Sequence, residues 1–213
     1  VVALLTCPLP PLLPVSPPPP CPARRRPQNA FTGALPEIDR MRSLLYFDVH
    51  ANLLTGTLPA GLVAQPRMMY LGVGNNALEG PVPDVSRLAP SLVALDLSAN
   101  HFSGPLPPGL GALELMKVLS LHDNRFTGPL SAPGGFGAPF ANLSALQYMY
   151  VDGNRFTGPL PPFAGAPQLL EAVLSRNELD GPLPDRIAAT NTHLKRVDAH
   201  SNALTGTLPA GLV

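Results

Sequence analysis

The chain contains no tryptophan, only two cysteines, and charged residues at just 13% of its 213 positions. Basic and acidic side chains number 14 each and cancel, which removes any electrostatic reason to expect nucleic acid or an anionic membrane as partner. No apolar run approaches the ~18–20 residues of a membrane-spanning helix. Phosphate-binding loops, the dinucleotide fingerprint and the kinase signature are all missing, so the sequence nominates no cofactor and no catalytic residue. Cys7 and Cys21 lie in CPLPPLLPVSPPPPC. They can bridge in an oxidising compartment, but a pair inside a proline-rich stretch does not decide the compartment. With 45% hydrophobic residues, the chain as a whole is too apolar for disorder.

Proline is abundant, and it is not scattered. Ten of the 29 prolines fall in residues 1–28, and the others follow a rhythm that the rest of the sequence shares. NRFTGPL stands at 124–130 and again at 154–160, and TGTLPAGLV at 55–63 and 205–213. Anchoring on the asparagine gives Asn29, Asn52, Asn76, Asn100, Asn124, Asn154, Asn177 and Asn202, spaced 23, 24, 24, 24, 30, 23 and 25 residues apart. Four residues after each comes glycine, two further on leucine or valine, and then proline in every unit but the fifth, where Ser131 replaces it. An interval of this size marks a solenoid whose units bury their apolar faces only against their neighbours. Apolar residues also recur eight, five and three positions before each asparagine from Asn52 onward, as in Leu92, Leu95 and Leu97 before Asn100. The last two alternate with polar or small residues, the period of a half-buried strand.

The resulting L-x-x-L-x-L-x-x-N-x-L spacing resembles the leucine-rich repeat (LRR), and the downstream G-x-L-P resembles its plant-type class. That class occurs in LRR receptor-kinase ectodomains, polygalacturonase inhibitors and LRR-extensins. The resemblance implies an α/β-type solenoid dominated by β: a right-handed superhelix with a parallel concave sheet and an irregular convex side. Strands are expected near 46–50, 70–74, 94–98, 118–122, 148–152, 171–175 and 196–200. Asn52, Asn76, Asn100, Asn124, Asn154, Asn177 and Asn202 form the structural ladder, their amides turned inward toward backbone groups that the turning chain leaves unpaired.

The pattern has breaks. Residues 1–28 read as a disordered proline-rich leader, with a signal-peptide remnant as the alternative. The register of Asn29 puts Arg24 and Arg26 in buried slots, so no concave strand is expected there. Residues 29–213 hold about eight repeats, and the fifth carries a Gly/Pro-rich loop insertion at 131–144. That loop includes the glycosylation sequon Asn142-Leu143-Ser144. The sequence stops mid-repeat and neither end shows the usual cap, which reads as a fragment of a longer protein truncated at the C-terminus.

Function is expected on the concave face, at residues six, four and two before each asparagine. All four tyrosines fall there: Tyr46, Tyr70, Tyr148 and Tyr150. No core requires them. Strand propensity and cross-strand stacking alone would place tyrosine on an exposed sheet, but its large, amphipathic contact area at low entropic cost favours binding. The candidate ligand-binding set is Tyr46, Asp48, His50, Tyr70, His122, Tyr148, Tyr150, Asp152, Arg196, Asp198 and His200. His50, His122 and His200 lie three rungs apart, ~14 Å, and so cannot share one metal ion. Ser120, His122 and Asp123 do not make a triad, because residues two apart on a strand stand ~6–7 Å apart. The expectation is a non-catalytic recognition module binding a peptide, glycan or protein, extracellular or at the cell surface. The alternatives are the ectodomain of an LRR receptor-like serine/threonine kinase and an intracellular LRR scaffold.

Overall fold

The computed structural model describes residues 29–38, 41–107, 109–130, 142–160, 163–184 and 191–208. The proposed leader, both cysteines and most of the fifth-repeat insertion lie outside them. The described chain alternates between two parallel sheets. Even-numbered strands build the first: β2 (Tyr46–Asp48), β4 (Tyr70–Gly72), β6 (Ala94–Asp96), β8 (Val118–Ser120), β10 (Tyr148–Tyr150), β12 (Glu171–Val173) and β14 (Arg196–Asp198), each paired with the next in that order. These are the seven expected strands. Backbone hydrogen bonding continues past their ends, as from Val49 N–H to Gly72 O and from Ala51 N–H to Gly74 O.

The expected irregular arc is more ordered than the sequence implied. Residues after each asparagine form a second, eight-stranded sheet: β1 (Thr32–Ala34), β3 (Leu53–Gly56), β5 (Ala77–Gly80), β7 (His101–Gly104), β9 (Arg125–Pro129), β11 (Arg155–Pro159), β13 (Glu178–Gly181) and β15 (Ala203–Leu204). In the first sheet equivalent residues pair directly, Tyr46 with Tyr70 and Tyr70 with Ala94. In the second, each strand is offset by two, so that Gly104 pairs with Phe126 rather than Gly128. The sequence could not announce this sheet, since its glycine and proline both disfavour strand. Beyond it the arc carries short 3-10 turns at Leu62–Ala64, Ser86–Leu88 and Leu110–Ala112.

The core lies between the sheets and the arcs. Leu71, Leu95, Leu119, Met149 and Ala172 supply one buried column, and Leu78, Phe102, Phe126, Phe156 and Leu179 another. Within the second column Phe102 stacks on Phe126 at 6.3 Å and Phe126 on Phe156 at 6.1 Å. This aromatic spine runs through the rungs beside the long repeat.

Asparagine joins one rung to the next. Asn100 Nδ2 donates to the carbonyls of Leu97 (3.3 Å) and Ser98 (3.0 Å) in its own turn, and to Val73 (3.1 Å) of the rung before. Its Oδ1 accepts the N–H of Leu78 at 2.9 Å. Asn124 repeats the arrangement on Leu121, His122, Leu97 and Phe102. Each side chain therefore satisfies backbone groups of two repeats at once.

The turn at each asparagine is left-handed. The preceding residue has φ of 56° at Ala51, 55° at Asn75, 49° at Ala99, 52° at Asp123, 63° at Gly153, 56° at Arg176 and 53° at Ser201. These values fall in the small left-handed region that side chains enter at some cost. At the glycine four residues after asparagine φ is larger, 82° at Gly104. A Cβ there would meet only the Pro105-equivalent Pro81 side chain of the rung before, at an ordinary 3.8 Å. Backbone conformation, not space, reserves that slot for glycine.

Two stability predictions follow from these contacts. Asn100→Leu strands the buried Leu78 N–H, while the carbonyls of Val73, Leu97 and Ser98 keep Asn76, Asn124 and the Asn75 N–H as donors, and it should cost about 1–3 kcal/mol. An unchanged urea midpoint would contradict the ladder's role. Gly104→Ala should destabilise by about 1–2 kcal/mol through strain, whereas Ala99→Gly, which relieves a left-handed alanine, should change stability by less than about 1 kcal/mol. Equal effects of the two substitutions would refute the distinction between the slots.

Candidate functional site: the outward face of the first sheet

Adjacent rungs place equivalent outward side chains about 4.7–4.9 Å apart, close enough for long side chains to lie over short ones. This corrects the expectation that every outward slot faces solvent. Ser98, Ser120, Glu171, Val173 and Ser175 are buried beneath their neighbours, while Tyr46 remains 44% exposed. Tyr70, His50, His122, Tyr148, Tyr150, Asp152 and Asp198 are half-buried, and Asp48, Arg196 and His200 are exposed.

The structure groups these residues at two places. At one, Tyr46 and Tyr70 are register partners on β2 and β4, and His50 Nδ1 meets Asp48 Oδ1 at 2.7 Å. At the other, the Tyr148 and Tyr150 rings stack at 6.4 Å, and the Tyr150 hydroxyl donates to Glu171 Oε2 at 3.3 Å. Arg196 bridges Glu171 (2.7 Å) and Asp198 (3.0 Å). Arg176 bridges Asp152 (2.7 Å) and Asp123 (3.0 Å), reaching across Gly153. A Cβ at Gly153 would stand 2.5 Å from the Asp123 carboxylate, so glycine there also leaves room for the ion pair. Arg176 and Glu171 were absent from the sequence-based site. Arg176 precedes the ladder asparagine, a slot outside the alternating pattern, and only the left-handed turn brings it onto this face. His200 sits 3.8 Å from Asp198. Among the described residues no group of three or more His, Cys, Asp or Glu could hold a metal ion, and no helix is long and apolar enough to cross a membrane.

The fold and this face together permit comparison with known proteins. Residues 91–113 match the Leucine Rich Repeat family model. No curated protein matches the chain by sequence. Among solved structures, the PEPR1–AtPEP1 complex superposes with a TM-score of 0.79 at 29% identity, covering 86% of this chain and 25% of that one. The Arabidopsis receptor kinase HAESA ectodomain, in complex with an IDA peptide hormone ligand, gives 0.79 at 27% identity, covering 86% and 30%. The chain folds as a leucine-rich repeat solenoid similar to these plant receptor ectodomains. A plant ice-binding protein shares the leucine-rich repeat chain's fold with a TM-score of 0.67 at 25% identity, covering 86% and 66%. The solenoid spans about a quarter to a third of the receptor chains it resembles.

Protonation on this leucine-rich repeat face is set by close carboxylates. The hydrogen bond to Asp48 raises the His50 pKa against the opposing effect of burial, and the charges of Asp48 and Asp96 add to the rise. Burial pulls His122 down, but the Asp123 hydrogen bond and the charges of Asp152, Asp123 and Asp96 together leave it raised. The His122 hydrogen bond, with Arg176 nearby, holds Asp123 below the usual carboxylate range despite partial burial. Burial and the neighbouring Glu171 push the Tyr150 phenol up, so it stays a donor at neutral pH. A folded histidine pKa above the unfolded ~6.5 means that the folded state holds the proton more tightly. That contribution is complete below about pH 6.5 and disappears as pH rises through the raised values. The thermal midpoint should therefore be higher at pH 6 than at pH 8, and His50→Gln with His122→Gln should shrink the difference. A midpoint that rises toward pH 8 would contradict the assignment.

Proposed function

We propose that this solenoid is a non-catalytic recognition module that binds a peptide or protein on the outward face of its first sheet. The observation that carries the reading is the concentration of all four tyrosines on a surface where they build no core, flanked by ordered ion pairs. Such residues are the usual hot spots of binding: large, rigid and amphipathic. The ion pairs hold Arg176, Arg196, Asp152 and Glu171 in fixed positions, which lowers the ordering cost of association. Support by analogy comes from the superposition on receptor ectodomains seen with a peptide hormone. The same analogy favours a place outside the cell or at its surface, with the chain as one section of a longer receptor-like ectodomain. The sequon residue Asn142 is exposed, in keeping with that setting.

Tyr46 lies four strands, or ~19 Å, from the Tyr148–Tyr150 group. An extended peptide or a protein surface spans that distance, and a small metabolite does not. A partner captured with the intact chain should lose about 2 kcal/mol, roughly 30-fold in affinity, on Tyr150→Ala and on Tyr46→Ala. Arg87→Ala, in the 3-10 turn at Ser86–Leu88, should change affinity little. Equal affinities for all three variants would move the binding surface off the first sheet.

A further inference from the structure

Gln65 stands in a slot that other rungs give to apolar residues. Eleven positions before the ladder asparagine they carry Leu113, Leu143 and Ala166, all fully buried. Gln65 is hidden as well, at 2% exposure. Its Nε2 donates to the carbonyls of Gly61 (2.8 Å) and Ile38 (3.0 Å), which ties its arc to the one before. Asn191, in the same slot, likewise donates to two carbonyls, those of Phe163 and Ala166. These bonds account for an amide donor but not for the oxygen. Among the described residues, Gln65 Oε1 is the one buried side-chain polar atom with no hydrogen-bond partner. An acceptor buried in that state costs about 1–3 kcal/mol, so a group with an N–H or O–H belongs beside it.

Gln65 also lines a cleft of about 510 Å³, a size within the roughly 300–1,000 Å³ of small-molecule sites. The cleft spans three consecutive arcs: Arg42 comes from the first, Ala64 and Gln65 from the second, and Ser86, Arg87 and Ala89 from the third. Both arginines are exposed, and every salt bridge among the described residues is made by other cations. The Asp84 carboxylate is taken up by Ser86, accepting its N–H at 2.8 Å and its hydroxyl at 3.0 Å. Two guanidinium groups without a counter-anion call for an oxyanion, which they bind through paired N–H donors. The orphaned oxygen calls for a donor on the same ligand, and a bare carboxylate has none. No aromatic ring is among the described lining residues, so a planar heterocycle finds no platform on which to stack. A compact acid bearing hydroxyl groups meets all three demands.

We propose that this cleft binds a small polyhydroxylated carboxylic acid, its carboxylate on Arg42 and Arg87 and one hydroxyl donating to Gln65 Oε1. The site lies on the arcs and is separate from the outward face of the first sheet. The probe is quinate, a ring carrying one carboxylate and several hydroxyls. Two ring compounds isolate its parts: cyclohexanecarboxylate keeps the charge without hydroxyls, and myo-inositol keeps hydroxyls without the charge. Each is titrated into the full chain and followed by amide NMR, the Gln65 side-chain amide included. Saturable shifts at Gln65, Ser86 and Ala89 are expected with quinate, weakening in about 0.5 M salt. Both comparison compounds should bind about tenfold more weakly. Arg42→Gln combined with Arg87→Gln should cost quinate a similar factor and leave the response to myo-inositol as it was. Gln65→Leu, which copies the other rungs, should abolish the preference for quinate over cyclohexanecarboxylate. If that variant unfolds, the same two compounds on the parent chain decide. Equal binding of quinate and either comparison compound, or shifts centred elsewhere, would overturn the proposal. The first-sheet reading stands or falls separately, because its test rests on Tyr46→Ala and Tyr150→Ala.

Discussion

The asparagine amide is the interaction on which the rest of this structure depends. A solenoid must turn its chain sharply at the end of every strand, and each turn leaves carbonyls and an N–H without partners in a dry interior. One amide offers two donors and an acceptor in a fixed plane. Asn154, for example, donates to Val151 and Asp152 in its own turn and to Leu121 of the rung before, while its oxygen takes the Phe126 N–H. Leucine packing alone would let neighbouring rungs slide. The amide fixes their register, and the register decides which outward side chains become neighbours.

Direct alignment in the first sheet therefore has a functional side. Long side chains reach across rungs because equivalent slots are aligned, as Arg196 does to Glu171 and Tyr150 to Glu171. Alternating small and large residues then sculpts relief on what would be a flat ribbon. Gly72, Gly74 and Gly153 leave room for side chains to lie across them: the Tyr70 ring, the Asp96 and Ser98 side chains, and the Arg176–Asp123 pair. A repeated scaffold acquires an individual surface in this way without altering any residue that supports the fold.

Much of the fold was legible in the sequence, because a signal written seven or eight times overcomes the weakness of each copy. The Leu95, Leu97 and Asn100 slots, and their equivalents, located every strand of the first sheet. The second sheet was hidden because residues such as Gly128 and Pro129 have poor strand propensity and pair only by virtue of the stacking already imposed. The left-handed turns were hidden for a related reason: Ala51, Ala99 and Arg176 are not residues that advertise positive φ. On the candidate site, the columns of tyrosine and histidine were readable by counting back from asparagine. Their partners were not. That Arg176 joins Asp123 to Asp152 depends on a turn conformation and on the missing Cβ of Gly153, neither of which periodicity encodes.

The fifth repeat shows what such a frame permits. The donor from Asn154 reaches back 33 residues to Leu121, where that of Asn124 reaches 27 to Leu97, yet the two bonds measure 3.0 and 2.9 Å. The extra length falls entirely in the segment between the second-sheet strand ending at Pro129 and the next first-sheet strand beginning at Tyr148. Strands and turns thus keep time for the whole coil, while the arcs between them are free to differ in length. A lineage of such proteins can lengthen an arc, decorate it or hang a new segment from it, one rung at a time, with every other rung left in step.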